Sequence, residues 1–187
     1  MLDCSKVILD LCGGTGAWSE PYRRAGYLVK VVTLPCDVRL YEYPGQVYGV
    51  LAAPVCTDFS GSGAQYWPEK DLDGRTLASI SIADACCRIV LVTKPKFWVL
   101  ENPVGRLRKW YGPPAMYFHP SDYGDAYTKK TCLWGDFNRP VPNPVEPVRV
   151  CSQGSWLMKL GGKSARTKEL RSVTPPGFAQ AFFEANR

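Results

Sequence analysis

The chain has a single histidine, His119, and no Cys-x-x-Cys pair, and its Cys86 and Cys87 are adjacent rather than spaced. A zinc centre is therefore not expected, because structural zinc needs spaced thiolate or imidazole ligands. No apolar stretch looks long enough to span a bilayer, so no membrane partner is expected. The opening Met-Leu-Asp-Cys-Ser-Lys lacks the pattern of a secretory leader. The eight cysteines are accordingly expected to be reduced and cytoplasmic rather than a disulfide framework. Internal repeats and low-complexity tracts are also lacking. Negative charge is scarce in the second half. Residues 94–187 carry 15 Lys and Arg against 7 Asp and Glu, whereas residues 1–93 carry 8 against 10, for a net charge of +6. A basic half fits a polyanion such as nucleic acid, and fits a merely solvated surface equally well.

What is present is an alternation of strand and helix signals. Apolar runs at residues 6–11, 27–34, 48–53 and 97–100 predict strands. Residues 18–25, Arg75–Thr93 and 178–184 predict helices. The order predicts one α/β domain over residues 1–187 with a mainly parallel sheet. Residues 140–147 hold four prolines and predict an extended connector. Ligands of such sheets sit at the carboxyl ends of the strands. Asp10, Asp37, Cys56 and Glu101 all fall at or just past a predicted strand end, so the fold would bring them to one edge.

Three segments carry chemistry. Asp10-Leu11-Cys12-Gly13-Gly14-Thr15-Gly16 puts glycines after the first strand, where a ligand can approach the backbone. The spacing is not Gly-x-Gly-x-x-Gly, and Thr33 rather than an acid ends the second strand. A dinucleotide is therefore disfavoured and a nucleoside cofactor without pyrophosphate fits better; a tight strand–helix turn is the plain alternative. Pro54-Val55-Cys56-Thr57-Asp58-Phe59-Ser60 places a thiol at the mouth of a loop. Taken alone, such a thiol is more often a buried structural cysteine than a nucleophile. Phe97-Trp98-Val99-Leu100-Glu101-Asn102-Pro103 ends an apolar strand with a carboxylate whose pKa burial should raise. That suits proton sharing with a ring nitrogen, and suits a salt-bridged or capping glutamate as well.

Together, and in this order, these segments resemble the cytosine-5 DNA methyltransferase family, especially its small phage- and prophage-type members. The resemblance runs from about residue 6 to residue 185. It implies a Rossmann-like S-adenosylmethionine-dependent methyltransferase fold. Asp10, Gly14, Thr15, Gly16 and Trp18 resemble the first motif, the S-adenosyl-L-methionine loop, and Asp37 resembles the acid that meets the adenine. Pro54 and Cys56 belong to the Pro-Cys-x-x-Phe-Ser-like motif, with Cys56 as nucleophile. Glu101 corresponds to the glutamate that holds the target cytosine. Lys129 and Lys130 lie where the family has Gln-x-Arg-x-Arg, which implies a catalytic role supporting the substrate ring for Lys129 and a DNA contact for Lys130, as for Ser60, and lysine lacks the bidentate fork of arginine. Thr174 and Phe178 fall in the last motif, residues 171–182, which returns to the cofactor. Cys12, Thr33 and Val55 depart from the family pattern, although Thr33, standing where an acid would hold the ribose hydroxyls, and Pro54 are still expected to line the cofactor.

The function implied is methyl transfer from S-adenosyl-L-methionine to cytosine C5, leaving S-adenosyl-L-homocysteine. Cys56 would attack C6 while Glu101 binds N3. The partner implied is DNA, as a duplex with its target base flipped out. The loop over residues 60–67, beginning at Ser60, is the candidate to close over that base, with an ordinary surface loop as the alternative. Residues 135–170 offer only a reduced recognition segment, in or beside which Lys163, Arg166 and Lys168 could neutralise phosphates. The resemblance places the protein in the bacterial cytoplasm as a phage- or prophage-encoded enzyme, with protection of DNA from restriction as its role. Two other readings stay open: the same chemistry with a modified donor or non-duplex substrate, and a degenerate DNA-binding module without turnover.

Overall fold

A computed structural model describes residues 6–152, 154–160 and 165–187. Its centre is a six-stranded sheet formed by β1 (Val7–Leu11), β2 (Leu28–Val32), β3 (Gly49–Ala52), β4 (Phe97–Pro103), β5 (Met116–Phe118) and β6 (Thr131–Asp136), in the order β2-β1-β3-β4-β6-β5. The first four strands are parallel, β6 runs antiparallel to β4, and β5 antiparallel to β6. β1 and β3 are buried along their whole length. This is why both appear in the sequence as unbroken apolar runs rather than alternating ones. The expected mainly parallel α/β architecture is what forms.

Each face of the sheet has its own core. On one face Leu9, Leu11, Val50, Ala52, Leu100 and Cys132 pack with Ala83, Cys86 and Ile89 of α3 (Arg75–Thr93), and with Phe59 and Leu107. On the other, Ile8, Leu51, Val99 and Leu133 pack against Trp18, Tyr22 and the C-terminal helix α6 (Pro176–Ala185). Tyr22 belongs to α1 (Glu20–Arg24), which starts two residues later than residues 18–25 predict. Phe178 of α6 is fully buried and stacks on Phe118 with ring centroids 3.8 Å apart.

Several elements differ from expectation. Residues 60–67 do not form an open loop: a 3-10 helix, Gly61–Tyr66, runs straight into α2 (Trp67–Leu72). Pro68 lies in the first turn of α2, where its missing N–H breaks no helical hydrogen bond. The expectation of no membrane-length apolar segment also needs correcting: α3 is, at 19 residues, long and apolar enough to cross a membrane by length and composition. In this fold one side of α3 covers the sheet, and its Thr76 and Ser79 are buried in polar contacts. The short helix α4 (Arg108–Tyr111) lies beside it, Tyr111 donating to Asp84 at 2.5 Å.

Residues 135 and 136 complete β6, and the proline-rich stretch runs without helix or strand apart from a bridge at Asn143 to Tyr123. A small hairpin follows, β7 (Val150–Cys151) with β8 (Gly154–Ser155), then a 3-10 turn and α5 (Ala165–Ser172). Replacing Phe178 by alanine removes a ring from a closed aromatic cluster. Urea denaturation should show the variant losing about 3–5 kcal/mol of stability.

Candidate active site

The strand order reverses between β1 and β3, and the carboxyl ends of these two strands open the crevice in which sheets of this kind hold ligands. At the end of β1, Asp10 is completely buried. Ser19 Oγ donates to its Oδ2 at 2.5 Å, while its Oδ1 is buried without a partner. Burial pushes this carboxyl up to about 6, against the opposing hydrogen bond from Ser19 and the charge of Arg23. Gly13 is glycine because of that carboxylate: a Cβ there would lie 2.3 Å from Asp10 Oδ1. The turn continues through Gly14 at φ +53° and Gly16 at φ +73°. Gly14 and Thr15 are exposed, and nothing lies within 4 Å of a Cβ built on Gly14. The open backbone over these two residues, with an unpaired carboxylate oxygen beneath the turn, fits a nucleoside-bearing cofactor without pyrophosphate.

The register Ala52↔Leu100 places the residues just after β3 beside the carboxyl half of β4. Asn102, fully buried on β4, donates its side-chain amide to the Pro54 carbonyl at 3.1 Å, tying the two strand ends together. The Cys56 carbonyl accepts the N–H groups of Phe59 and Ser60, so residues 56–60 form a closed turn with Phe59 buried beneath it. The exit of β4 is welded to this turn. Gly61 N–H donates to the Val104 carbonyl and Arg106 N–H to the Phe59 carbonyl, both at 2.9 Å. A Cβ on Gly105 would meet the Phe59 carbonyl oxygen at 1.9 Å.

Side chains finish the weld. The Arg106 guanidinium is buried. It donates to the Asp58 carbonyl at 2.9 Å, to both carboxylate oxygens of Asp71 at 2.8 and 2.9 Å, and to Thr76 Oγ1 at 2.6 Å. The Asp58 carboxylate takes Lys70 at 3.0 Å and Ser79 Oγ at 2.5 Å, and Lys70 also donates to the Thr57 carbonyl.

Cys56 is thus held partly buried within electrostatic reach of Glu101, Lys129 and Arg171. Burial pushes its thiol up and the Glu101 charge adds to this, while Lys129 and Arg171 pull it down. Burial likewise raises the Glu101 carboxyl, opposed by Lys129. Lys129 Nζ donates to the Arg171 carbonyl at 3.1 Å, which joins the approach to β6 to the end of α5. One cation therefore acts on both the thiol and the carboxyl.

The other predicted residues are placed as follows. Pro54 is buried against Asn102. Thr33 is exposed just past β2, and Asp37 is engaged by Arg39 at 2.6 Å. Trp18 and Phe178 lie 2% and 0% exposed in the second core, 5.9 Å apart, so neither presents an open ring face. Thr174 is half-buried before α6. Ser60 forms a bridge with Gly105 and opens the 3-10 turn, so residues 60–67 are anchored at their start. Lys130 is exposed above the Tyr117 ring at 5.1 Å. Lys163 and the side chains of Arg166 and Lys168 lie outside the described part of the structure. Among the described residues, no group of three or more His, Cys, Asp or Glu side chains could hold a metal ion.

The residues that position Cys56 — Arg106, Lys70, Asp58, Ser79 and Asn102 — carried no sequence signal beyond the Glu-Asn-Pro segment itself. Their partners lie 12 to 48 positions away. Arg171 was visible as the first residue of the last motif, with nothing to tie it to Cys56.

No protein-family model and no curated protein matches the sequence. Among solved structures, the chain is similar to one provisionally described as a DNA modification methyltransferase encoded within a prophage of E. coli. The TM-score is 0.50 at 19% identity, over 76% of this chain and 52% of that one. This chain thus spans about half the length of that structure. At this identity the likeness concerns the fold, which is Rossmann-like and of the methyltransferase type.

The geometry sets an order of thiol reactivities. Iodoacetamide alkylation of Cys56, followed by peptide mass spectrometry against pH, should have a midpoint above that of an ordinary cysteine. Lys129→Met should move it higher still, and Glu101→Gln should lower it.

Proposed function

We propose that this chain is an S-adenosyl-L-methionine-dependent DNA cytosine-5 methyltransferase. The observation that carries this reading is the pairing of Cys56 and Glu101 at adjoining strand ends, with Lys129 acting on both. The prophage DNA modification methyltransferase that shares the fold supports DNA as the substrate. Asp10, Gly14, Thr15, Gly16 and Asp37 are the residues proposed to hold the cofactor, which when bound supplies an electrophilic methyl sulfonium. Such a protein works in the cytoplasm of a bacterial host.

Cytosine C5 is a poor nucleophile until C6 is attacked. The Cys56 thiolate adds to C6, and protonated Glu101 gives its proton to N3, so the electron pair becomes available at C5. Once C5 carries the methyl group, Glu101 takes the N3 proton back. Loss of the C5 proton to a base then expels the Cys56 thiolate and restores the ring. Thiol attack requires the cytosine out of the stack, at a cost of a few kcal/mol. Lys129 and Arg171 favour the thiolate that burial disfavours. Burial of Glu101 keeps its protonated form available closer to neutral pH.

Duplex and single-stranded DNA incubated with the protein and S-adenosyl-L-methionine, digested to nucleosides and weighed by mass spectrometry, should yield 5-methylcytosine. Its absence on every substrate sinks the proposal. Cys56→Ala should abolish the product and the covalent adduct on 5-fluorocytosine DNA. In the wild type, kcat/KM needs thiolate and protonated carboxyl together, so it should fall on both the acid and the alkaline side. Glu101→Gln should be slower and lose the alkaline decline, because its side chain has no proton to shed.

A further inference from the structure

The edge of the sheet beyond β4 carries cations and aromatic rings that the site does not use. β5 turns Phe118 toward the second core, and Tyr117, the residue before it, lies 45% exposed beside Cys132 of β6. Lys130 sits 5.1 Å above the Tyr117 ring. Cys132 belongs to the first core, together with Leu107 at the start of α4. Arg108 of α4 and Lys130 both lie close enough to Cys132 to pull its thiol down against burial. Both are exposed, and neither has an ion-pair partner among the described residues. Lys109, by contrast, faces Asp71 closely enough to help hold its carboxyl down.

Trp110 completes the strip. Its ring is 45% exposed, yet its inner edge packs on Phe59 at 6.0 Å. Phe59 is the buried base of the turn that carries Cys56. An indole so placed is fixed relative to the thiol while most of one side meets solvent. Exposing a tryptophan beside unneutralised cations fits a polyanion that also offers flat apolar faces, which is the chemistry of nucleic acid.

We infer that Arg108, Trp110, Tyr117 and Lys130 form a DNA-contacting strip on the α4–β5–β6 edge: the cations take phosphates of the strand that leaves the site, and Trp110 takes the face of an unstacked base next to Cys56. This rests on the methyltransferase reading and extends it. It assigns the hold on DNA to the catalytic domain's own sheet edge rather than to residues 135–170 alone. Such contacts position the strand and read little sequence.

The test is fluorescence anisotropy of the full chain with a labelled cytosine-containing duplex across a salt series. Trp110→Ala should weaken binding about tenfold, as loss of one base–aromatic stack does, and Trp110→Phe should restore most of it. Arg108→Ala and Lys130→Ala should each weaken binding and lower the salt slope by about 0.9. Lys30→Ala, on the opposite edge strand, should change neither. Circular dichroism checks each variant; should Trp110→Ala unfold, the two exposed cations carry the test. Unchanged affinity and slope in the Arg108 and Lys130 variants, or a wild type without affinity for DNA, overturns the strip. Methyl transfer and 5-fluorocytosine trapping measured on the same samples separate the two ideas. An active wild type with indifferent variants removes the strip alone. Variants that lose DNA with a wild type that forms no 5-methylcytosine leave the strip and remove the reaction.

Discussion

Arg106 is the constraint on which the site depends. A buried guanidinium is costly unless its donors are satisfied, and here they are divided among the Asp58 carbonyl, the Asp71 carboxylate and Thr76. These partners belong to the Cys56 turn, to α2 and to α3, while Arg106 itself leaves β4. Trp67 covers the guanidinium plane at 4.9 Å. One side chain therefore fixes the distance between the two chain segments that carry the thiol and the carboxyl. Lys70 repeats the device a few ångströms away, through Asp58 and the Thr57 carbonyl.

Around that frame the electrostatics are opposed rather than uniformly activating. Burial disfavours the charged form of both Cys56 and Glu101, and the Glu101 charge further disfavours the Cys56 thiolate. Lys129 offsets part of this for both groups and Arg171 for the thiol. Asp10 stands apart as a buried acid facing the glycine turn, its raised pKa opposed chiefly by Ser19. Its ionisation is unfavourable in the folded state, so its contribution to stability is greatest below pH 3.8 and declines as pH rises through about 6.

The four parallel strands were legible because burial leaves continuous apolar runs, and α3 because nineteen residues without glycine or proline suit a helix, although Leu77, Leu91 and Val92 make its solvent side apolar too. The strand-end positions of Asp10, Cys56 and Glu101 followed from those runs. Neither β5 nor β6 was predicted: the three residues of β5 sit in a proline-bordered stretch and carry no period, and β6 is a short run closed by Gly135 and Asp136. Residues 60–67 misled because Gly61 and Gly63 look like loop punctuation, whereas the chain there winds into a 3-10 turn that leads into α2. The assignment of Trp18 and Phe178 to a ligand met a different obstacle. Large aromatics near a site serve packing and recognition alike, and only tertiary contact separates the two uses. Arg106 and Asn102 were hidden for the same reason, since their partners are set by the fold and not by spacing.

The reversal of β6 has a mechanical consequence. Because the strand begins at the site and ends at Asp136, opposite Trp98, the chain is delivered to the far edge of the sheet. It must climb back along β5 before α5 can reach Lys129. By Asn143 it already lies beside Asp122, its N–H bonded to that carbonyl at 2.9 Å. Six residues of β6 descend about 20 Å at roughly 3.3 Å each, and an extended proline segment regains about 3.1 Å per residue. The prolines thus act as a stiff strut, pinned through the N–H groups of Asn143 and Val145 to the Asp122 and Ser121 carbonyls, which lies along the sheet without adding a strand to it. The length of that strut sets where the chain, carried away from the site by β6, rejoins the 3-10 turn at Ser121 and Asp122.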